Sequence, residues 1–169
     1  YMNLEDKVNK LSKSDFISIF GNVFEKTEWI AEKTYDLKPF TDFEEISHKM
    51  IDIFENSKTD DLLKILNSHP ELAVEKIMTQ DSKKEQANAQ LNSCTEEELA
   101  EFLKLNKDYK KKFNFPFIIA VKGKNKEEIL NNFRSRINNE IKIEFEEAKK
   151  QVKNIASFRL KQIKVNNKL

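Results

Sequence analysis

The sequence predicts an all-α, single-domain bundle of about seven to nine helices with one extended loop from Phe113 to Val121. The 169 residues contain only 2 Gly and 3 Pro, too few for a sheet with many tight turns. Apolar residues recur at helical spacing along most of the chain. The 13 Phe supply bulky core side chains, although only 38% of the residues are hydrophobic.

Helices in the N-terminal half are predicted from apolar spacing and capping residues. The first should begin near Ser12 to Ser14, and the second should cover residues 28–35 and stop before Pro39. A third covers residues 43–54, and Thr59 can cap a short fourth helix that ends near Leu66. The apolar positions that define these helices are Phe16, Phe20, Val23, Phe24, Trp29, Ile30, Ala31, Phe43, Ile46, Met50, Ile53, Phe54, Leu62, Leu63, Ile65 and Leu66.

Helices in the C-terminal half are predicted mainly from their start signals. Pro70 at a first helical position would open a helix over residues 71–78. Three capping patterns should open the next helices, which end near Leu91, Lys111 and residue 137. A last long helix should run from about Glu140 to Ile163. The capping patterns are Ser82-x-x-Glu85, Thr95-x-x-Glu98 and Asn125-x-x-Glu128.

Between Phe113 and Val121 the chain is rich in aromatic and β-branched residues, and Gly123 follows. This stretch is therefore predicted to be an extended loop or short strand with no evident partner. The expected organisation is an N-terminal tail over 1–10, a helical domain over 11–163 and a C-terminal tail over 164–169.

The composition excludes several classes of function. Lys and Arg number 30 and Asp and Glu 29, so the net charge of +1 creates no field that recruits nucleic acid or an anionic membrane. The single cysteine, Cys94, excludes an intrachain disulfide and a cysteine-based metal cluster. The two histidines cannot form a three-histidine zinc site. No apolar run approaches the ~18 residues of a membrane span.

The chain ends predict a soluble protein of a reducing compartment. The first residues lack the apolar core of a signal peptide. We therefore expect a cytoplasmic protein. A peroxisomal location is the alternative in a eukaryote, because Asn167-Lys168-Leu169 loosely resembles the Ser-Lys-Leu address.

The first candidate functional residue is His69, which precedes Pro70. A residue before proline is driven to extended geometry, so His69 is expected at the N-cap of the next helix. Histidine is not a preferred cap, whereas it is well suited to proton transfer near neutral pH. The alternative is a partly exposed histidine in a cap region.

The second candidate is the segment from Ser82 to Gln86. A capping box by itself accounts for Ser82 and Glu85, whereas Gln86 has no structural role that the sequence suggests. If the box faces a cleft, a hydroxyl, a carboxylate and a carboxamide converge at a helix N-terminus, which favours anions.

The third candidate is Arg159, which lies within the apolar stripe of the last helix. It follows Val152 by seven residues and Ile155 by four, and it precedes Ile163 by four. A guanidinium there requires an anionic partner. The functional interpretation assigns it a substrate group and predicts little loss of stability on truncation. The alternative is a structural salt bridge to Asp or Glu.

These residues belong to a longer resemblance. The sequence His69-Pro70-Glu71-Leu72-Ala73, followed by Ser82-x-x-Glu85-Gln86-Ala87, resembles the paired signature of the 2-oxo-4-hydroxy-4-carboxy-5-ureidoimidazoline (OHCU) decarboxylases of urate breakdown. The resemblance covers about residues 11 to 163. It continues through Phe20-Gly21, Glu25, Trp29, Ala31, Pro39-Phe40, Leu105-Asn106-x-x-Tyr109-x-x-x-Phe113-x-Phe115-Pro116-Phe117-Ile118, Ile129-Leu130, Arg134-x-Arg136-x-x-Asn138 and Ile155-Ala156-x-x-Arg159-Leu160.

The resemblance implies a cofactor-independent and metal-independent carboxy-lyase that converts OHCU to (S)-allantoin and CO2. It implies that His69 is the catalytic acid or base and that Glu85 shares the proton transfer. It also implies a homodimer with no nucleic-acid or membrane partner. The substrate-binding residues that it implies are Pro70, Ser82, Gln86, Phe115, Phe117, Ile118, Ile119 and Arg159.

Two departures from the family pattern leave alternatives open. Ala87-Asn88-Ala89-Gln90 stands where the family has a glycine-containing segment, and Lys122 precedes Gly123 where arginine is frequent. One alternative is a decarboxylase of a related β-imino or β-keto acid. The other is a non-catalytic helical binding domain on the same scaffold, although a decayed enzyme should have lost His69, Glu85 or Arg159.

Overall fold

Nine α-helices and no β-strand form the part of the chain described by the computed structural model, residues 4–73 and 79–166. The predicted all-α class is confirmed. The helices in chain order are α1 (Leu4–Asn9), α2 (Lys13–Phe20), α3 (Glu28–Tyr35), α4 (Phe43–Glu55), α5 (Thr59–Ser68), α6 (Gln80–Asn88), α7 (Glu96–Phe113), α8 (Lys126–Arg136) and α9 (Ile141–Asn166).

Local capping signals begin five of these helices, including α6, which Thr79 caps. Ser12 caps α2 and Asp42 caps α4, each accepting a backbone N–H three residues on. Thr95 and Glu98 form the predicted capping box at the start of α7. Asn125 caps α8 as predicted, with its side chain 2.9 Å from the backbone nitrogen of Glu128.

Some helix boundaries differ from the prediction. Helix α1 was not anticipated; Asn9 at its end exchanges two hydrogen bonds, of 2.8 and 2.7 Å, with the backbone of Phe40. Helix α2 ends at Phe20. Gly21 follows at a position where a Cβ atom would lie 2.4 Å from the carbonyl oxygen of Ile17, so a residue with a side chain would not fit there. Thr59 is the first residue of α5 and not its cap.

One compact unit comprises residues 1–65 and 153–169, of which 4–65 and 153–166 are described. Within it, α3 packs against both α2 and α4. Its core is aromatic. The ring centres of Phe16 and Phe20 lie 4.6 Å apart, and the stacked rings of Phe24 and Phe54 have their centres 5.1 Å apart. The C-terminal part of α9 belongs to this unit, and an ion pair joins its Lys153 to Glu55 of α4.

The second compact unit comprises residues 66–152, of which 66–73 and 79–152 are described. Helix α7 packs against α8 within it. Tyr109 lies at the centre of its core with no exposed surface, and the Phe113 ring is 4.4 Å away. The rings of Phe117 and Phe133 stack at 3.9 Å. The loop that contains Phe117 is therefore part of this core.

Candidate active site

His69 lies directly after the last residue of α5 and is buried, with 7% of its surface exposed. Its backbone nitrogen donates to the carbonyl oxygen of Leu66, three residues earlier, at 3.3 Å, which closes the end of the helix with a tighter turn. The alternative of a partly exposed histidine is therefore wrong. An imidazole kept largely from bulk water is suited to directed proton transfer.

The helix predicted to open at Pro70 does not begin there. Leu72 and Ala73 form a turn, and Ala73 has a φ of 58°, in the left-handed region that an alanine rarely adopts. His69 is consequently not a helix N-cap. The remainder of the predicted helix, residues 74–78, lies outside the described residues.

The predicted Ser82–Glu85 capping box is also wrong, because Thr79 caps α6. The Thr79 hydroxyl accepts from the backbone nitrogen of Ser82 at 3.3 Å, so Ser82 is the third residue of the helix. Thr79 also belongs to the preferred cap residues, and it stands three residues earlier. Ser82 is nevertheless 4% exposed and Glu85 is half-buried. Capping therefore does not explain why Ser82 is buried.

Gln86 forms hydrogen bonds between the two segments of the paired signature, residues 69–73 and 82–87. Its side-chain oxygen accepts from the backbone nitrogen of Ala73 at 3.1 Å, and its side-chain nitrogen donates to the carbonyl oxygen of Glu71 at 3.2 Å. The carboxamide thus has the structural role that the sequence did not suggest. It also brings the C-terminal half of α6 next to the turn that follows His69 and Pro70.

The predicted extended loop is observed between α7 and α8, and its side chains are buried. Phe115, Phe117, Ile118 and Ile119 are each at most 5% exposed. The Phe115 and Phe117 rings make edge contacts with Tyr109 at 5.9 and 5.4 Å. Since both rings belong to the core, the loop offers mainly backbone groups to a ligand.

A buried polar network holds this loop. Arg136 donates to the carbonyl oxygen of Ile118 at 2.7 Å and to Glu144 at 2.7 Å, and its guanidinium lies 4.3 Å from the centre of the Phe117 ring. The Tyr109 hydroxyl donates to the same Glu144 oxygen at 2.6 Å. Burial, and then the bond to this carboxylate, raise the pKa of Tyr109 well above its usual range, so it stays protonated.

Arg159 belongs to the first unit, where its charge is neutralised. The guanidinium is 5% exposed and donates to the carboxylate of Glu25 at 3.0 Å and to the carbonyl oxygen of Asn22 at 2.9 Å. Glu25 itself is fully buried. Arg159 therefore forms the structural salt bridge that was the alternative interpretation. The expectation that no carboxylate of the protein pairs with it is wrong.

Cys94 and the acidic side chains offer little for metal or thiol chemistry. Burial raises the pKa of the Cys94 thiol, which favours the protonated, weakly nucleophilic form. Over residues 4–73 and 79–166, no group of three His, Cys, Asp or Glu side chains is arranged to hold a metal ion. None of the helices in these ranges is long and apolar enough to cross a membrane.

Asn106 and Arg136 are two buried polar residues that the sequence analysis did not single out as site residues. Asn106 donates to the carbonyl oxygen of Leu72 at 3.0 Å. Both could have been found by the pattern that identified Arg159, a polar residue at apolar helical spacing. Asn106 follows Phe102 by four residues, and Arg136 follows Phe133 by three, so both lie within apolar helix faces.

Comparison with known proteins identifies similar chains. The sequence model of the OHCU decarboxylase family matches residues 9–161. The "2-oxo-4-hydroxy-4-carboxy-5-ureidoimidazoline decarboxylase" of Haloferax volcanii is 33% identical over 154 residues, which cover 91% of this chain and 92% of that protein. The "Uric acid degradation bifunctional protein" of Bacillus sp. strain TB-90 is 38% identical over 157 residues, or 93% of this chain. This chain spans only 31% of that bifunctional protein.

Two crystal structures have a similar fold. One is of (S)-allantoin synthase, with a TM-score of 0.77 and 25% identity; the match covers 94% of this chain and 52% of that one. The other, of OHCU decarboxylase in the presence of (S)-allantoin, has a TM-score of 0.70 and 23% identity and covers 90% and 98% of the two chains. At that identity, the second supports the fold alone.

Proposed function

The chain belongs to the OHCU decarboxylase family, and from that premise we propose that it converts OHCU to (S)-allantoin and CO2. One observation carries the proposal. The Gln86 carboxamide is hydrogen-bonded to the backbone at Glu71 and Ala73, directly after the buried His69 and Pro70. The two segments of the family signature therefore lie side by side, as a shared site requires.

The chemistry of the substrate explains why the proposed reaction requires no cofactor. OHCU carries its carboxylate on the ring carbon next to a C=N bond. When the bond to the carboxylate breaks, CO2 leaves and its bonding electron pair shifts toward that C=N group, whose nitrogen takes up a proton. The enol hydroxyl then releases its proton to form the carbonyl, and a proton added to one face of the neighbouring carbon gives the (S) product.

In this scheme, side chains of the protein transfer the protons and determine which face of the ring carbon is protonated. His69 acts on the hydroxyl beside the leaving carboxylate or delivers the proton to carbon, which is ordinary general acid–base chemistry. Glu85, half-buried on α6, shares the proton transfer. Ring and ureido groups of the substrate are held by Ser82 and Gln86, while Pro70 bounds the site beside His69.

The loop after α7 and the cation on α9 complete the proposal. Ile118 and Ile119 contribute backbone hydrogen bonds, and Phe115 and Phe117 hold the loop in shape from the core. On the family resemblance, Arg159 binds an anionic or carbonyl group of the substrate while Glu25 also holds its guanidinium. A planar guanidinium has five N–H donors and can serve two acceptors at once.

The proposal is tested by adding freshly generated OHCU and following the reaction by circular dichroism. Spontaneous decarboxylation gives a racemate, so the expected result is an accelerated reaction with an optically active product. His69→Ala should lower turnover by ~10²–10⁴. His48→Ala is the matched control, because His48 is exposed on α4, and it should retain wild-type turnover.

The possible outcomes separate the alternatives. Wild-type protein that leaves OHCU to decay at the spontaneous rate with racemic product would contradict the proposed substrate. Turnover of another β-imino or β-keto acid in that case would favour a related decarboxylase, and no turnover of either would favour a binding domain. Activity should also survive dialysis against a chelator, since no step requires a metal.

A further inference from the structure

The turn that follows His69 and Pro70 is fixed by side chains from two other helices. Asn106 of α7 donates to the carbonyl oxygen of Leu72 at 3.0 Å. Gln86 of α6 binds the carbonyl of Glu71 and the N–H of Ala73. Three consecutive residues thus have backbone groups bound by side chains that are 13 to 34 positions away in the sequence.

The conformation of this turn is not one that its own residues favour. Ala73 has a φ of 58°, and the left-handed region is sterically costly for a residue with a Cβ atom. Such a conformation persists where surrounding contacts impose it, and conformations of this kind cluster at functional sites. Gln86 and Asn106 bind the N–H and the carbonyl of the Leu72–Ala73 peptide group, directly beside this torsion.

Asn106 is a poor choice for stability alone. It is 3% exposed within an apolar helix face, and its side-chain oxygen is buried with no hydrogen-bond partner among the described residues. Moving the amide out of water costs free energy that the bond to Leu72 has to offset, so this bond brings little net stabilisation. The presence of the amide is better explained by the position of the backbone that it holds.

We propose that Asn106 is a positioning residue for His69. Only Pro70 and Glu71 separate His69 from Leu72; the proline ring fixes one backbone torsion, and Gln86 holds the carbonyl of Glu71. The residue before a proline is itself restricted. With so few free torsions, fixing the carbonyl of Leu72 restricts the backbone of His69 and thereby the position and direction of the Cα–Cβ bond from which its imidazole extends. The catalytic consequence rests on the proposed function.

The expected kinetic effect is on the chemical step. A catalytic group displaced by about 1 Å can lose ~10²-fold in rate. Asn106→Leu, which removes the amide at similar volume, should therefore lower kcat by ~10- to 100-fold while KM changes by less than about threefold. Asn106→Asp keeps the shape but removes the donor at neutral pH, and it should have the same effect if the leucine variant fails to fold.

Thr34→Val is the matched control for the loss of one buried hydrogen bond. The Thr34 hydroxyl is fully buried and donates to the carbonyl oxygen of Ile30 at 2.7 Å, within the first unit. This substitution should leave kcat unchanged, whatever it does to the melting temperature. A purely structural role for Asn106 predicts instead that both variants keep wild-type kcat per folded molecule, which would overturn the proposal.

A second measurement does not depend on the substrate. Diethyl pyrocarbonate modifies accessible imidazoles, and the two histidines of the chain can be followed separately by mass spectrometry. In the wild type the buried His69 should react much more slowly than the exposed His48. In Asn106→Leu the rate at His69 should rise several-fold, while the rate at His48 stays the same.

The two measurements keep this inference separable from the proposed function. An unchanged reaction rate at His69 in the folded Asn106→Leu and Asn106→Asp variants overturns the positioning role. A raised rate in a protein that does not accelerate OHCU decarboxylation supports the positioning role and contradicts the proposed substrate.

Discussion

Arg159 and Glu25 form an ion pair in the interior of the first unit, with side chains 5% and 0% exposed. Both charges have left water, so each depends on the other and on the further bond from Arg159 to the carbonyl of Asn22. Removal of one partner leaves the other charge buried. The pair therefore reverses the stability effect that the functional interpretation of the sequence predicted for truncation of Arg159.

We expect Arg159→Met to lower the free energy of unfolding by ~3–5 kcal/mol, the usual cost of stranding a buried charge. Glu25→Gln should cost a similar amount. The double variant should cost much less than the sum of the two, because no charge is then left alone. Urea unfolding of the four proteins measures this coupling. Strictly additive losses would contradict a direct pair.

Arg159→Lys separates the structural from the substrate-binding role. It keeps the charge beside Glu25 but lacks the planar fork of donors. If Arg159 also binds the substrate, this variant should stay folded and show a several-fold higher KM for OHCU. A wild-type KM in the folded lysine variant would restrict Arg159 to its structural role.

At the level of a single helix, the departure from the family pattern at Ala87-Asn88-Ala89-Gln90 lies at the C-terminal end of α6. The helix ends at Asn88, and Gln90 two residues later has a φ of 66°, in the left-handed region. Asn88 and Gln90 are both exposed. Glycine adopts this φ without a steric cost, so the glycine usual in the family has a conformational explanation at this helix end. The departure therefore lies at the helix end, where Ala89 is the residue of the segment that is buried.

Substitution at Gln90 tests this explanation. Gln90→Val should lower the free energy of unfolding by ~1–2 kcal/mol, since a β-branched side chain tolerates the left-handed region poorly. Gln90→Gly should cost no more than about 0.5 kcal/mol, because the relieved strain offsets the greater freedom of the unfolded chain. Thermal melts of the two variants measure the difference. Equal melting temperatures would show that the φ of residue 90 is unimportant.

The stability of the whole molecule should depend on Tyr109 at high pH. Burial, and then the hydrogen bond to Glu144, raise the pKa of Tyr109 above its ordinary value of 10.0. The folded protein therefore holds this proton more tightly than the unfolded chain does. The contribution is complete below about pH 10 and is lost as the pH rises further, because only the unfolded chain then ionises.

We expect the free energy of unfolding to fall above about pH 10 with a slope that approaches ~1.4 kcal/mol per pH unit from this group. Tyr109→Phe removes the titrating hydroxyl and should flatten that part of the slope, although it is less stable at neutral pH through the lost bond to Glu144. Urea unfolding between about pH 8 and pH 11 compares the two proteins. Parallel pH dependences would show that Tyr109 does not contribute.

We propose that the whole molecule is a homodimer, on the family resemblance. Large apolar side chains are exposed on α7 and at the start of α9; they are Leu99 (38%), Leu103 (47%), Ile141 (58%) and Ile143 (56%). Sedimentation at micromolar concentration should give twice the 19.9 kDa of one chain. Leu99→Lys with Leu103→Lys, compared with Ile141→Lys and Ile143→Lys, tests which face contributes. A single 19.9 kDa species for the wild type would contradict the dimer.

Local sequence patterns predicted most of the helices, and the ordered signature indicated the family. Hydrogen bonds within a helix join residues four apart, and a cap acts over three, so local patterns suffice. Ser12, Asp42, Thr95 and Asn125 accordingly cap their helices. Apolar spacing likewise anticipated that Arg159 is buried. The ordered signature around His69 and Gln86 identified the family, because it depends on residue types and their order alone.

Only the tertiary structure decided the partners of the buried polar groups. Arg159 meets Glu25 across 134 positions, and Asn106 meets the carbonyl of Leu72 across 34. The choice of Thr79 over Ser82 as the cap of α6, and the left-handed turn at Ala73, also depend on packing between elements. The physical reason is distance along the chain: a buried polar group takes whichever partner the fold brings within about 3 Å, and no local pattern encodes that choice.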